Sequence, residues 1–179
     1  ETPGIPTSGY TNSVLLSYLG RVNYGFDSKY LFTASFRADG SSRYSEGNKW
    51  GYFPSGAIAW KVSEEEFMKT QEAISTLKIR SSWGLTGSQA IDPYATLNQL
   101  FPGYTPGSVL PGDLKWETTE QLDLGLDLGL WQDRIVFGAD YYVKTTKDLL
   151  STVRLPSSFG YTTTIDNVGS IENKGVELS

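Results

Sequence analysis

The chain has 179 residues with no cysteine and no histidine, and its 20 acids against 15 bases give a net charge of −5. Without Cys or His there is no disulfide framework, no thiolate or imidazole metal site and no Ser-His or Cys-His pair; an enzyme would have only carboxylate or lysine chemistry. No stretch gathers Lys and Arg into a phosphate-tracking surface, so nucleic acid is not an expected partner.

The first predicted element is a strand over Val14 to Phe26. Val14, Leu16, Tyr18, Val22, Tyr24 and Phe26 share one face, while Ser17, Arg21, Asn23 and Gly25 share the other and Leu15 and Leu19 break the pattern. Side chains alternate across a strand, so this period of two separates an apolar from a polar face. After a tight Asp27-Ser28-Lys29 turn, Tyr30, Phe32, Ala34, Phe36 and Ala38 repeat the alternation against Thr33, Ser35, Arg37 and Asp39, which predicts a hairpin. A polar loop from Asp39 to Lys49 leads to a third strand, from Trp50 or Gly51 to Val62. Ser63 and Glu66 then have the spacing of a capping box, with Val62 and Phe67 placed as a hydrophobic staple, which predicts one or two helical turns over Ser63 to Lys69.

Leu77, Ile79, Trp83 and Leu85 mark a fourth strand. Gln89 to Gly112, rich in Pro, Gly, Tyr and Asn, reads as a long loop. In the fifth strand, Leu114 to Leu130, leucine occupies every second position from Leu122 onward, and Gln121, Asp123, Gly125, Asp127 and Gly129 fill the positions between. Trp131-Gln132-Asp133 makes a tight turn into a sixth strand, Ile135 to Lys144. A second long loop, Thr145 to Asp166, precedes a seventh strand. The chain opens on Glu1-Thr-Pro-Gly and stops inside an alternating run at Glu177-Leu178-Ser179, so it is expected to be part of a larger protein.

An alternating strand fits either a sheet with one side in a core and one in water, or a barrel wall with lipid outside and a wet lumen inside. No segment approaches the roughly 18 apolar residues of a spanning helix, but a spanning strand needs only about 9 to 11, half of them polar. The mean hydropathy of −0.30 is compatible with that. Connections after the first, third and fifth strands are short and those after the second, fourth and sixth are long, which puts all long loops at one end, as in outer-membrane barrels. Aromatic residues cluster at the short-turn end, and Trp116 and Tyr141 lie toward the other. From Trp116 to Leu130 a strand tilted near 45° spans roughly 33 Å along the barrel axis, enough to bracket an apolar band.

Several motifs together resemble the SusC/RagA family of TonB-dependent outer-membrane transporters: Gly20-Arg21-Val22-Asn23-Tyr24, Asp39-Gly-Ser-Ser-Arg-Tyr44, Phe53-Pro54-Ser55, Glu65-Glu66-Phe67, Leu77-Lys78-Ile79-Arg80, Leu114-Lys-Trp-Glu-Thr-Thr119, Asn167-Val168-Gly169 and Asn173-Lys-Gly-Val-Glu177. Gly87-Ser88 departs from the Gly-Asn of that pattern. The resemblance implies an all-β fold in which residues 1–179 form about seven strands of an antiparallel transmembrane barrel wall, with neither the plug nor a complete barrel in this stretch. Barrels of this kind have 22 strands and a plugged lumen. It further implies TonB-driven import of glycan oligosaccharides or peptides across a Gram-negative, Bacteroidota-type outer membrane, a SusD-like surface lipoprotein as partner, and no cofactor.

For sites, Leu122, Leu124, Leu126, Leu128 and Trp116 are expected to face the membrane. Asp39, Arg43, Tyr44 and Trp50, in or beside the first long loop, are candidates for contact with a sugar or peptide, because Trp and Tyr faces and an Arg fork suit such ligands. Tyr94, Phe101 and Tyr104 are weaker candidates. Asp123 and Asp127 lie about 13 Å apart on one strand face, too far for a shared metal or a close carboxylate pair, and are read as lumen lining. Asp39-Gly-Ser-Ser lacks the further acids of a calcium loop and is read as a strand-end turn. No catalytic or metal-binding residue is expected. Two other readings stay open: a soluble extracellular β-sandwich that binds glycan through its loop end, and a carboxylate-only hydrolase whose acids would come from different strands.

Overall fold

The computed structural model describes residues 9–97, 100–101, 105–106, 109–110 and 112–179. In chain order its strands are β1 (Leu15–Phe26), β2 (Tyr30–Ser41), β3 (Trp50–Lys61), β4 (Ile74–Ser88), β5 (Leu100–Phe101), β6 (Thr105–Pro106), β7 (Val109–Leu110), β8 (Glu117–Leu130), β9 (Ile135–Lys147), β10 (Leu150–Arg154), β11 (Thr163–Asn167) and β12 (Ser170–Leu178). The seven long strands form one antiparallel sheet in the order β1-β2-β3-β4-β8-β9-β12, each pairing with the next long strand in sequence. This is the all-β meander that the alternation predicted.

The register follows from the two-faced pattern. Leu122 lies between Trp83 and Val143, Leu126 between Ile79 and Ala139, and Leu128 between Leu77 and Phe137. A slip of one residue would carry Asp123 and Asp127 into that apolar row, so the alternation itself selects the pairing. The hairpin turns are built on left-handed residues, Asp27 and Ser28 in one and Trp131, Gln132 and Asp133 in the other. Such turns match the twist of the flanking strands.

The short connection between β3 and β4 differs from the expectation. In place of a capped helix it makes two 3-10 turns, Val62–Glu64 and Glu66–Met68, and neither has a side-chain cap. Ser63 and Glu66 have capping-box spacing, but the extended backbone of Glu65 breaks the helix between them. The long connections also carry more structure than a loop reading gives. β2 continues through Asp39 to Ser41, so the expected strand-end turn at Asp39 is still strand, and β9 runs on to Lys147. β10 and β11 form a hairpin inside the last long connection, and β11 pairs in parallel with β7 from the preceding one.

The buried core lies at the long-loop end, where Tyr44, Phe53, Ile91, Leu114 and Trp116 pack with Leu85, Leu150 and Ile165. Elsewhere the sheet is a single layer, and Val22, Tyr24, Phe32, Ile58 and Leu124 on its apolar face are exposed. A β-sandwich would cover that face with a second sheet. Among the described residues these apolar side chains are left open.

Candidate functional site

The polar face of the sheet centres on Arg80 of β4. Its Nε donates to Asp127 Oδ2 at 3.0 Å, and its Nη2 donates to Asp127 Oδ1 at 2.9 Å and to Asp140 Oδ2 at 3.0 Å. Asp127 belongs to β8 and Asp140 to β9, so one guanidinium ties three adjacent strands. Gly125 makes this possible: it is the register partner of both Arg80 and Asp140. A Cβ there would lie 2.8 Å from Arg80 Cζ and closer still to the Asp140 carboxylate. Asp123 has separate partners, Ser82 Oγ at 3.2 Å and Gln121 Nε2 at 2.9 Å. Beside them opens a shallow polar groove of about 570 Å³ bounded by Asp123, Tyr142, Lys144, Asn173 and Glu177. Asp123 and Asp127 are thus engaged with different neighbours, and among the described residues no cluster of three or more ligating side chains could hold a metal.

At the long-loop end the predicted contact residues fall into two groups. Asp39, Arg43 and Tyr44 are built into a packed knot. Asp39 is buried and accepts Arg37 Nε at 2.8 Å. Arg43 Nη1 donates to the Ile91 carbonyl at 2.9 Å, and Thr96 Oγ1 donates to the Arg43 carbonyl at 3.2 Å, which fastens the first long loop to the second. Tyr44 is 2% exposed, stacks on Trp116 at 4.9 Å and donates to the Ser88 carbonyl at 3.1 Å. Burial, with the nearby Glu117 charge adding to it, pushes the Tyr44 phenol up to about 12, so it remains a neutral donor. The Tyr44 ring, expected to meet a ligand, is packed within the knot and leaves almost none of its surface open.

The two tryptophans lie in different environments from each other. Trp50, expected to touch a ligand, stands on the apolar face, 43% exposed, and stacks on Tyr18 at 6.1 Å over Gly40. Trp116, expected to face the membrane, is 7% exposed and packs edge-on against Phe53 at 5.6 Å, while its Nε1 donates to the Lys49 carbonyl at 3.3 Å. It precedes the first residue of β8, so strand alternation does not fix its direction. Leu122, Leu124, Leu126 and Leu128 share one face of β8; Leu122, Leu126 and Leu128 are in register with apolar residues of β4 and β9, and Leu124 lies between Ser81 and Tyr141. Tyr94 is exposed with a left-handed backbone, and its hydroxyl accepts Asn12 N at 3.1 Å. Tyr104 lies outside the described residues, and Phe101 is described only as part of β5.

Aromatic rings form rows at both ends of the apolar face. Tyr18 with Trp50 and Phe36 with Tyr52 pair toward the long loops; Tyr24 with Phe32, Phe26 with Tyr30, and Tyr30 with Trp60 pair toward the short turns. Small residues, Ala34 and Gly56, lie between them on paired strands. The rows repeat the pattern of interfacial girdles on barrel walls.

Residues 2–179 match the family model described as TonB dependent receptor-like, beta-barrel. The chain belongs to the TonB-dependent receptor β-barrel family. It is 45% identical over 185 residues to TonB-dependent receptor P3 of Formosa agariphila, covering 97% of this chain and 18% of that protein. It is 40% identical over 189 residues to TonB-dependent receptor SusC of Bacteroides thetaiotaomicron, covering 97% and 19%. Among solved structures it is similar to the RagAB peptide importer in the open-open state, at TM-score 0.85 and 32% identity over 93% of this chain and 19% of that one. The siderophore receptor PirA of Pseudomonas aeruginosa, at TM-score 0.64 and 13% identity, shares the fold. The chain spans about a fifth of the length of the curated relatives it matches.

Arg80 and Asp140 escaped the sequence reading as a site. The signal was present only in register: a glycine on a central strand with a base opposite on one side and an acid opposite on the other. The family motif Leu77-Lys78-Ile79-Arg80 marked the segment without giving the partner.

Proposed function

We propose that this chain forms part of the barrel wall of a TonB-dependent outer-membrane importer of nutrients, glycan oligosaccharides or peptides, working with a SusD-like surface lipoprotein. The observation that carries the reading is a single-layer meander with one apolar, aromatic-bordered face and one polar face, in a member of the TonB-dependent receptor β-barrel family. The apolar face, including Leu122, Leu124, Leu126 and Leu128, lies against lipid, and the polar face lines the lumen. The similar structure described as the RagAB peptide importer supports import of a nutrient, and the SusD-like lid is what the resemblance to the SusC/RagA family implies. Energy comes from TonB, the coupling that the family's description names.

This chain contributes structure and lining, not bond-making chemistry. Arg80, with Asp127 and Asp140, keeps three wall strands in register on the wet side. The groove beside Asp123, Tyr142 and Lys144 offers hydrogen bonds to polar cargo or to the segment that occupies the lumen. The packed knot around Tyr44 and Trp116 holds the long loops in a fixed shape from which other residues meet substrate and lid.

The test is uptake of labelled oligosaccharide and peptide pools by cells with and without the intact gene. The reading predicts loss of uptake of one pool on deletion, and equal loss when the proton-motive force is collapsed in the parent strain. Unchanged uptake of every pool on deletion would overturn it.

A further inference from the structure

The connection between β3 and β4 does not hang free beneath the sheet. Glu65 Oε1 accepts hydrogen bonds from Tyr30 Oη at 2.7 Å and from Trp60 Nε1 at 3.1 Å, and Lys29 Nζ lies 3.3 Å from Oε2. Tyr30 and Trp60 are register partners on β2 and β3, their rings are stacked at 6.2 Å, and alternation puts both on the apolar face with Phe32 and Ile58. A carboxylate that accepts from two rings on that face draws its own segment to the same side. Next to it Phe67 is 64% exposed, although Val62, five residues earlier, is buried against the sheet. From Lys61 to Lys69 the segment carries two lysines and three glutamates, and the third acid, Glu65, is paired with Lys29 of the neighbouring turn, so no large net charge opposes approach to a zwitterionic surface.

We propose that residues 62–69 form an interfacial foot, clasped to the aromatic row by Glu65, that inserts Phe67 into the headgroup boundary of the phospholipid leaflet at the short-turn end. The proposal rests on the reading of the apolar face as lipid-facing and goes beyond it. Aromatic residues favour that boundary because a ring can be apolar on one side and near water on the other. The foot continues the row Phe26, Tyr30 and Trp60, whose rings lie about one ring-width apart. The capping-box spacing of Ser63 and Glu66 makes no cap, whereas Glu65 between them makes two contacts to the girdle rings and one to Lys29. Fixing the foot by hydrogen bonds to rings that themselves sit at the boundary places Phe67 at the same depth.

The test incorporates the photo-crosslinking residue p-benzoylphenylalanine in the full-length transporter at Phe67, at Leu124 and at Asp123, one position at a time. The protein is reconstituted in phosphatidylcholine–phosphatidylethanolamine vesicles and irradiated, and the modified peptide is weighed. Phospholipid adducts are expected at 67 and 124 and none at 123. An adduct at 124 with none at 67, or a protein adduct at 67, would overturn the foot while leaving the wall orientation intact. No adduct at 124 would overturn the wall orientation and the foot with it. Glu65→Ala combined with the probe at 67 should lower the lipid adduct several-fold; an unchanged yield would overturn Glu65 as the clasp.

Discussion

On one face of β8, Leu124 stands between Ser81 and Tyr141 with nothing above it; on the other, Gly125 lies under an Arg80 side chain that reaches across to Asp140. Neighbouring positions on one strand therefore obey opposite rules. On the proposed reading the apolar face is governed mainly by the solvent it meets, with ring pairs such as Tyr18 and Trp50 adding to it. The polar face is read by partners, so size and charge matter residue by residue. The same contrast separates Trp50, stacked on an exposed row, from Trp116, locked in the knot.

The sharpest way to break that contrast is to truncate the tryptophans. Trp116→Ala should cost about 3–5 kcal/mol of local stability, as for a buried large aromatic. Trp50→Ala should cost about 0.5–1.5 kcal/mol, the worth of an aromatic pair. Denaturant unfolding of the full-length protein in detergent, with limited proteolysis at the long loops, reads the difference. Equal losses would mean that the two rings do not occupy different environments.

A somewhat smaller effect is expected for charge on the apolar face. Leu124→Arg should impair assembly into lipid vesicles by about 2–4 kcal/mol near the midplane, whereas Asp123→Asn should be mild. Folding yield into vesicles across a denaturant series checks both, and equal tolerance would erase the distinction between faces. Next comes Gly125→Ala, which places a methyl against the Asp140 carboxylate and Arg80 and should cost about 1–3 kcal/mol, the usual range for overpacking. Gly20→Ala, where a Cβ would meet nothing within 4 Å, is the matched control and should be close to neutral.

The smallest effect concerns Glu65. Hydrogen bonds from Tyr30 first, then Trp60, with Lys29 adding to them, hold its carboxyl below the usual carboxylate range. A carboxyl whose folded pKa is depressed stabilises the fold above its unfolded pKa, and that contribution is lost as pH falls through the folded value. Protein carrying Glu65→Gln should therefore show a shallower loss of stability than the parent on acidification below the ordinary carboxylate range, measured as thermal midpoints across pH. Identical slopes would show that Glu65 is not engaged.

The seven long strands, their order along the chain, the tight turns and the polarity of each face of β8 were legible in the sequence, because a period of two acts on every residue of a strand; the short strands β5, β6, β7, β10 and β11 lay in stretches read as loops. Where alternation stopped, so did legibility. Trp116 precedes β8 and turns toward Phe53 and Tyr44, and Trp50 opens β3 but already obeys the strand's alternation. Arg43 looked like a ligand fork and instead bonds loop carbonyls, since a guanidinium satisfies backbone as readily as substrate. The Arg80 clamp needed the register across three strands, which the spacing along one strand cannot supply. Ser63 and Glu66 show the reverse case, a local motif present in full whose cap is not made.

The account stands on the claim that the two faces of the wall meet different solvents. The direct measurement is a cysteine scan of successive positions from Gln121 to Leu128 in the full-length protein, in its native membrane, with a charged, membrane-impermeant maleimide. The account predicts a period of two, with protection at Leu122, Leu124, Leu126 and Leu128 and labelling at Gln121, Asp123 and Asp127 once the lumen is opened to the reagent. Labelling without alternation, or with the leucine positions labelled and the acids protected, would contradict it.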